Sequence, residues 1–377
     1  HEEVAYDDIT GKDLDPEKVR EARAKEIQYY RKMGVYEKVS KDEAMRISGK
    51  KPISVRWIDI VKGTLNDPVY RSRLGAREIN TDKREDLFAA TPPYEALKLI
   101  ISKAATGRYM KPVMIGDVAR AYFHAPVTRD VYVEIPKEDV EDGDEVRCGK
   151  LRYSMYGTRD AAQNWHNHYS QILQTMGFRQ GRANPCVFAH RKRGIWLFVH
   201  GDDFFATSEM EELEWMDQVL RSKLEMKNQI LGQGKGEFGS ILKREIHWSE
   251  ERIKLWSDER HATIIVEKMG MKDAKGVSTP GEKKEGEEVE GKEAGGDDTL
   301  YRALSARLNY LSLDRPDILY ASNLIARDMS TPTKAGWMRI RRIAKYLANK
   351  TSSYTEYLLQ SHGELTAYTD ANWADKE

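Results

Sequence analysis

The stretch IWLFVHGDDFFA, residues 195–206, decides how this chain folds. An apolar run, a Gly201 turn, two adjacent acids and a second apolar run read as two strands folded back on each other. Gly201 supplies the backbone freedom that a tight hairpin turn demands, and the turn lifts Asp202 and Asp203 to the hairpin tip. A second apolar segment, VMIG at 113–116, leads into a third acid, Asp117. If the strand bearing Asp117 lies beside the hairpin, three carboxylates converge. Their repulsion at about 4 Å would cost several kcal/mol at low effective dielectric unless cations sat among them. Hard oxygen ligands with open positions suit Mg2+, and two such ions about 3.5–4 Å apart are what in-line nucleotidyl transfer uses. Gly-Asp-Asp by itself is equally ordinary turn chemistry, so the flanking sequence has to decide between a turn and a site.

Working outward, helical periodicity is plain in four places. Asp15, Pro16 and Glu17 form a cap, a first-turn proline and an acidic first turn, after which Val19, Ala22, Ile27, Tyr30 and Met33 mark one face. Trp165, Tyr169, Ile172, Leu173 and Met176 mark a second helix, with Gly177 as its stop. Leu213, Met216, Leu220 and Leu224 mark a third. Trp337, Ile340, Ile343, Ala344 and Leu347 mark a fourth, whose other face carries Arg339, Arg341, Arg342 and Lys345. Arg252 to Trp256 adds a strand signal. Strands and helices alternate irregularly, which predicts an α+β arrangement rather than a regular doubly wound sheet.

The 377 residues predict two to three domains, and 40% hydrophobic with 32% charged residues excludes wholesale disorder. Two cysteines exclude a disulfide framework and favour a reducing compartment. The apolar runs fall far short of the roughly 20 residues a membrane helix needs, so no membrane partner is expected. The chain starts at His1 with acids close behind, so no signal peptide is visible and a piece of something longer is expected. Its 61 basic and 61 acidic residues cancel, which taken whole argues against a nucleic-acid partner, but the zero is a sum of opposed blocks. Residues 281–298 hold eight acids, three lysines and five glycines, the composition of a flexible linker. Residues 301–350 hold ten Lys or Arg against three Asp, a candidate duplex-binding surface that gains affinity by counterion release. Tyr301, Tyr310 and Tyr320 are expected to pack inside. His166 and His168, two apart on a helix, do not face together, which argues against a zinc site with Cys186 and His190.

At this point the chain resembles a known family, the reverse transcriptases of copia-type LTR retrotransposons, from about Trp57 to Trp373. DVARAYFHAP is similar to the first catalytic motif, in which Asp117 binds metal, Val118 offers its carbonyl and Tyr122 gates the sugar. HGDDFFA resembles the second, with His200 in place of a tyrosine. YRSRL, residues 70–74, maps Arg71 and Arg73 onto the triphosphate-binding pair. MYGTRDAAQNW, residues 155–165, is similar to the element that supports the incoming nucleotide, with Asp160 for its glutamine and Ala162 for its proline. A Phe-Leu-Gly-Ile element is compressed to Phe238-Gly239-Ser240-Ile241. NPCVF, YRALSARLNYLSLDRPDI and AYTDANWAD follow in family order.

The resemblance implies a right-hand polymerase of fingers, palm and thumb with an antiparallel palm sheet. The expected division is a helical lead-in at 1–50, the polymerase at 51–275, a linker at 276–299, a basic helical connection region at 300–360 and the truncated start of an RNase H-like α/β domain at 361–377. It implies RNA-directed DNA polymerase activity. Asp117, Asp202 and Asp203 would be both catalytic and metal-binding, for two Mg2+ ions or Mn2+ in their place. Arg71, Arg73, Tyr122, Val118 and Asp160 are the expected substrate contacts, and Arg339, Arg341, Arg342 and Lys345 the nucleic-acid contacts. Partners implied are an RNA template, a DNA primer, RNA/DNA duplex, dNTPs and the other parts of a Pol polyprotein, in cytoplasmic virus-like particles. Asp370 is the implied first RNase H-like ligand; the other ligands would lie beyond Glu377, so RNase H activity is not expected. Two other readings stand beside this one: an inactive remnant that only binds nucleic acid, and an RNA-dependent RNA polymerase, against which Tyr122 and the RNase H onset both speak.

Overall fold

The computed structural model describes residues 5–64, 67–79, 87, 89–281, 297–363 and 366. Asp370 and most of residues 282–296 and 364–377 lie outside them. At the centre is a six-stranded sheet in the order Met226–Leu231, Val113–Val118, Asp203–Thr207, Ile195–His200, Val187–His190 and Arg179–Gln180, every neighbour antiparallel. Side chains alternate across a strand. Leu197, Val199 and Phe204 therefore pack against α4 (Ala161–Thr175) and α5 (Met210–Arg221), while Phe198 and Phe205 pack on the opposite face against α3 (Tyr94–Ala104). Both faces are covered, which is why these strands read as continuous apolar runs.

The second face also carries a four-stranded antiparallel sheet, Phe238–Ile241, Arg244–Trp248, Arg252–Trp256 and Tyr354–Leu358. A long hairpin, Val55–Thr64 with Asp67–Ala76, stands at the other side of the site. The N-terminal α1 (Pro16–Met33) packs against it, capped by the Asp15 carboxylate, which accepts from the Glu17 and Lys18 N–H groups. The expected lead-in is more than helix: Tyr36–Ser40 pairs with Arg147–Leu151, and α2 (Lys41–Ser48) follows it.

The described helices before and after the acidic stretch pack together. The helices α6 (Glu259–Lys268), α7 (Asp298–Ser312), α8 (Leu319–Arg327) and α9 (Lys334–Ala348) share one core, with Ala262, Ile265 and Val266 of α6 against Leu304, Leu308, Ile343 and Leu347. Tyr354–Leu358 extends a sheet begun near Phe238. The boundary drawn at 276–299 thus separates elements that pack together, because an amphipathic helix buries its face wherever the complementary face lies in space. Tyr301 is buried as expected, but Tyr310 is 40% and Tyr320 71% exposed.

Candidate active site

The hairpin tip is built as its sequence demands. His200 pairs with Asp203, leaving Gly201 and Asp202 as a two-residue turn, and Gly201 takes φ +64. A positive φ at the first central position is the geometry that glycine adopts without strain. Asp203 lies directly opposite Asp117 in the neighbouring strand. Opposed residues of an antiparallel pair point to the same face with Cβ atoms roughly 4.5–5.5 Å apart. The Val118 N–H donates to the Asp202 carbonyl at 3.0 Å, fastening the turn to the Asp117 strand. The three acids are thereby gathered at one sheet end, although 85 residues of chain separate Asp117 from Asp202.

Their electrostatics follow from that crowding. Burial first, then the charges of Asp202 and Asp117, push the Asp203 carboxyl up to about 7. Asp117 is raised by burial and by Asp202, with Arg71, Lys227 and Arg73 pulling the other way. No described residue hydrogen-bonds to or forms an ion pair with these carboxylates. Among the described residues no group of three or more His, Cys, Asp or Glu side chains is placed so that it could hold a metal ion as it stands. The acids form an open set of hard oxygen donors whose mutual repulsion the nearby cations offset only in part, the kind of donors that could hold Mg2+ together with substrate phosphates.

The acids face a cavity of about 760 Å3. The same cavity is also lined by bases: Lys62, Arg71 and Arg73 from the long hairpin and Lys243 from the Ile241–Arg244 turn. Among the described residues none of these four forms a hydrogen bond or ion pair with an acid, although Asp117 acts on Lys62, Arg71 and Arg73 through its charge. Burial lowers Lys62 and Arg71, and their basic neighbours lower them further. Arg73 lies 4.8 Å from the centre of the Tyr156 ring, and its Nε is buried without a hydrogen-bond partner. Cations that destabilise one another around an open space create a positive potential that attracts anions. The wall depends on Gly157 as well: it takes φ +84, and an added Cβ would lie 2.0 Å from the Ala76 carbonyl oxygen at the base of the same hairpin.

The remaining expected residues are placed unevenly. Val118 lines the cavity with its side chain in the core. Tyr122 does not line it; half-buried, it packs on Tyr156 at 4.9 Å, with Asp202 and Arg73 as its charged neighbours. Asp160 lies apart from the cavity, buried and clasped by Arg129 at 2.8 and 3.0 Å. Burial opposes its ionisation, and the Arg129 guanidinium more than offsets this, holding its carboxyl below the usual range. Arg339 pairs with Asp328, Arg342 donates to Thr279, and Arg341 and Lys345 lie on the same helix; none of the four lines the cavity. The C-terminal helices reach it through Tyr310 and Leu313 instead.

Sequence reading missed four contributors. Trp165 donates its Nε1–H to the Gly201 carbonyl at 2.7 Å and so pins the acidic turn from α4; its apolar spacing marked a core position and it closes the 155–165 element, but neither signal pointed to this contact. Lys62 and Lys243 had no motif. Arg244, 2% exposed, pairs with Asp314 at 2.8 Å and ties the cavity wall to α7.

With this geometry in view, comparison with known proteins is informative. A profile of the family described as reverse transcriptase (RNA-dependent DNA polymerase) matches residues 40–283. The chain is 25% identical over 377 residues to the Retrovirus-related Pol polyprotein from transposon TNT 1-94 of Nicotiana tabacum, covering 95% of this chain and 27% of that protein. It is 27% identical over 335 residues to the corresponding polyprotein from transposon RE2 of Arabidopsis thaliana, covering 85% of this chain and 22% of that protein. The chain therefore spans only 27% and 22% of the length of these relatives. A solved foamy viral protease-reverse transcriptase in complex with double-stranded DNA is similar at TM-score 0.44 and 10% identity, covering 88% of this chain and 48% of that one. The profile match spans well over half of the chain and runs through both acidic motifs, so the chain belongs to the reverse transcriptase (RNA-dependent DNA polymerase) family, of the copia type that its ordered motifs imply.

Proposed function

We propose that the chain is an RNA-directed DNA polymerase that adds dNTPs to a DNA primer on an RNA or DNA template. The observation that carries this reading is the register of Asp203 with Asp117, with Asp202 on the joining turn, in one cavity with Lys62, Arg71, Arg73 and Lys243. Acids for cations and cations for phosphates around one cavity are what a reaction with little covalent work for the protein requires. The six-stranded sheet serves as the palm, the long hairpin as part of the fingers, and the helices α6–α9 as the wall beyond.

The primer 3′-oxygen forms a bond to the α-phosphorus, the bond to the bridging oxygen breaks, pyrophosphate leaves, and the hydroxyl proton is lost. Asp117, Asp202 and Asp203 would hold divalent ions, which when bound activate the hydroxyl and neutralise charge developing on the phosphates. Arg71, Arg73 and Lys62 bind the triphosphate, and Lys243 adds charge at its rim. Tyr122, packed on Tyr156 beside the cavity with Asp202 as a charged neighbour, would meet the sugar there and exclude a 2′-hydroxyl. Trp165 holds the Gly201 turn so that Asp202 does not swing away.

The departures at Asp160 and Ala162 favour one second reading, a remnant that binds nucleic acid without extending it. Extension of a labelled DNA primer on an RNA template, with dNTPs and Mg2+, separates the two. Extension that disappears in Asp202→Asn supports polymerisation; duplex binding without extension supports the remnant.

A further inference from the structure

We infer that Glu26, from the N-terminal helix, is a positioning residue that holds the turn between Asp117 and Tyr122 through Arg120; this rests on the polymerase reading above. The strand carrying Asp117 ends at Val118, and a 3-10 turn, Ala121–His124, carries Tyr122. Between them Arg120 takes φ +49 and ψ +54, the left-handed conformation, in a residue whose side chain disfavours it. Such a backbone persists only when its surroundings over-determine it, and outliers of this kind gather at functional sites.

The surroundings here are specific. The Arg120 guanidinium donates from Nε and Nη2 to Glu26 Oε2, at 2.8 and 2.7 Å, and lies 3.8 Å from the centre of the Tyr29 ring. Glu26 is 2% exposed, and its other oxygen is buried without a hydrogen-bond partner, so among the described residues Arg120 supplies its hydrogen bonds, with Arg71 acting on it only through its charge. The Tyr29 hydroxyl donates to Glu225, whose backbone carbonyl accepts from the Ala119 N–H at 2.8 Å. Phe123 is buried against Tyr30, with ring centres 4.6 Å apart. One helix face, Glu26, Tyr29 and Tyr30, thus grips the turn, and Arg120 also lines the cavity. That helix, Pro16–Met33, precedes the part of the chain matched by the family profile, 40–283.

The clamp sets where Tyr122 stands relative to the acids, so loosening it moves the sugar pocket and leaves duplex binding alone. In Glu26→Gln the dNTP KM rises about tenfold and the preference for dTTP over UTP narrows, while primer–template affinity is unchanged, small misplacements being costly in rate. Arg120→Gly accepts the left-handed turn without the clamp, so adding Glu26→Gln to it changes neither KM nor preference further. In melts, Arg120→Gly alone loses stability by stranding Glu26, and the double variant regains it. Unchanged KM and sugar preference in Glu26→Gln, with extension intact in the parent chain, overturn the inference and leave the polymerase reading standing. If the parent chain extends no primer, that reading fails by itself. The inference is then decided by equilibrium titration with Mg2+–dTTP and Mg2+–UTP: equal discrimination by parent and Glu26→Gln, or additive effects in the melts, overturns it.

Discussion

Replacing Asp203 by Asn will stabilise the metal-free protein at mildly alkaline pH while abolishing primer extension. The Asp203 carboxyl titrates near 7 in the fold against 3.8 in an unperturbed chain. Held ionised, it therefore opposes folding by up to about 4 kcal/mol, at ~1.4 kcal/mol per pH unit. The group is only half-buried, and solvent screening reduces this to about 1–2 kcal/mol. The direction follows from proton counting. Between pH 3.8 and about 7 the folded chain keeps a proton that the unfolded chain has released, so stability falls as pH rises through that window and then levels off. Asp117, raised by the same crowding, adds to the fall. The amide has no such cost. Asp203→Asn melts higher than the parent by about 1–3 °C at about pH 8 in EDTA, from an unfolding entropy near 2.1 cal/mol/K per residue. Below about pH 4 the difference vanishes. Mg2+ at about pH 8 raises the parent's melting temperature more than the variant's, because it neutralises the charge that the variant lacks. Calorimetry at the two pH values, with and without Mg2+, reads all of this. A lower melting temperature for the variant at about pH 8, or an equal gain at both pH values, would refute the reasoning.

The other expectations concern single contacts. Tyr122→Ala admits ribonucleotides, raising their incorporation about tenfold or more relative to dNTPs; unchanged sugar preference in single-nucleotide extension refutes the gate. Trp165→Phe keeps the buried ring but leaves the Gly201 carbonyl without its 2.7 Å donor. It lowers kcat about tenfold and stability by about 1–2 kcal/mol, and a wild-type kcat removes Trp165 from the site's supports. Asp314→Ala strands the buried Arg244 charge and loses about 3–5 kcal/mol in urea denaturation. Pairing it with Arg244→Met recovers most of that loss, and a single-variant loss below about 1 kcal/mol shows the pair to be dispensable.

Much of this architecture is legible in one dimension because it is local. The apolar runs at 113–118 and 195–199, the Gly201 turn and the Asp15 cap each depend on residues within a few positions of one another, so their elements form where the pattern predicts. The three acids can be picked out at the turn and the strand ends, but only the flanking motifs distinguish them from ordinary turn residues. What the residues by themselves could not specify is which strands become neighbours. The meeting of Asp117 with Asp203 is set by both sheet faces burying their side chains at once, across a long intervening loop. The basic wall likewise joins residues 62, 71, 73 and 243 through a fold, without any shared motif.

The same distinction explains the departures from expectation. Asp160 reads as a site residue from its place in a motif, yet Arg129, 31 positions away, turns it into a buried ion pair outside the cavity. The basic face of α9 is visible as a stripe, but the helices α6–α8 decide its orientation, and it is Tyr310 and Leu313 that α7 and its end bring to the cavity. The acidic stretch looks like a domain boundary because composition reports on chain entropy along the sequence. Only tertiary packing reveals that the helices on either side share a core, because apolar burial acts between surfaces in space regardless of the chain between them. Sequence alone thus determined the local elements, the acids and the family. The tertiary structure decided the register that assembles the acids, the basic wall that lines the same cavity, and the Glu26–Arg120 and Trp165 contacts that hold their turns, each of which requires partners far apart in the chain.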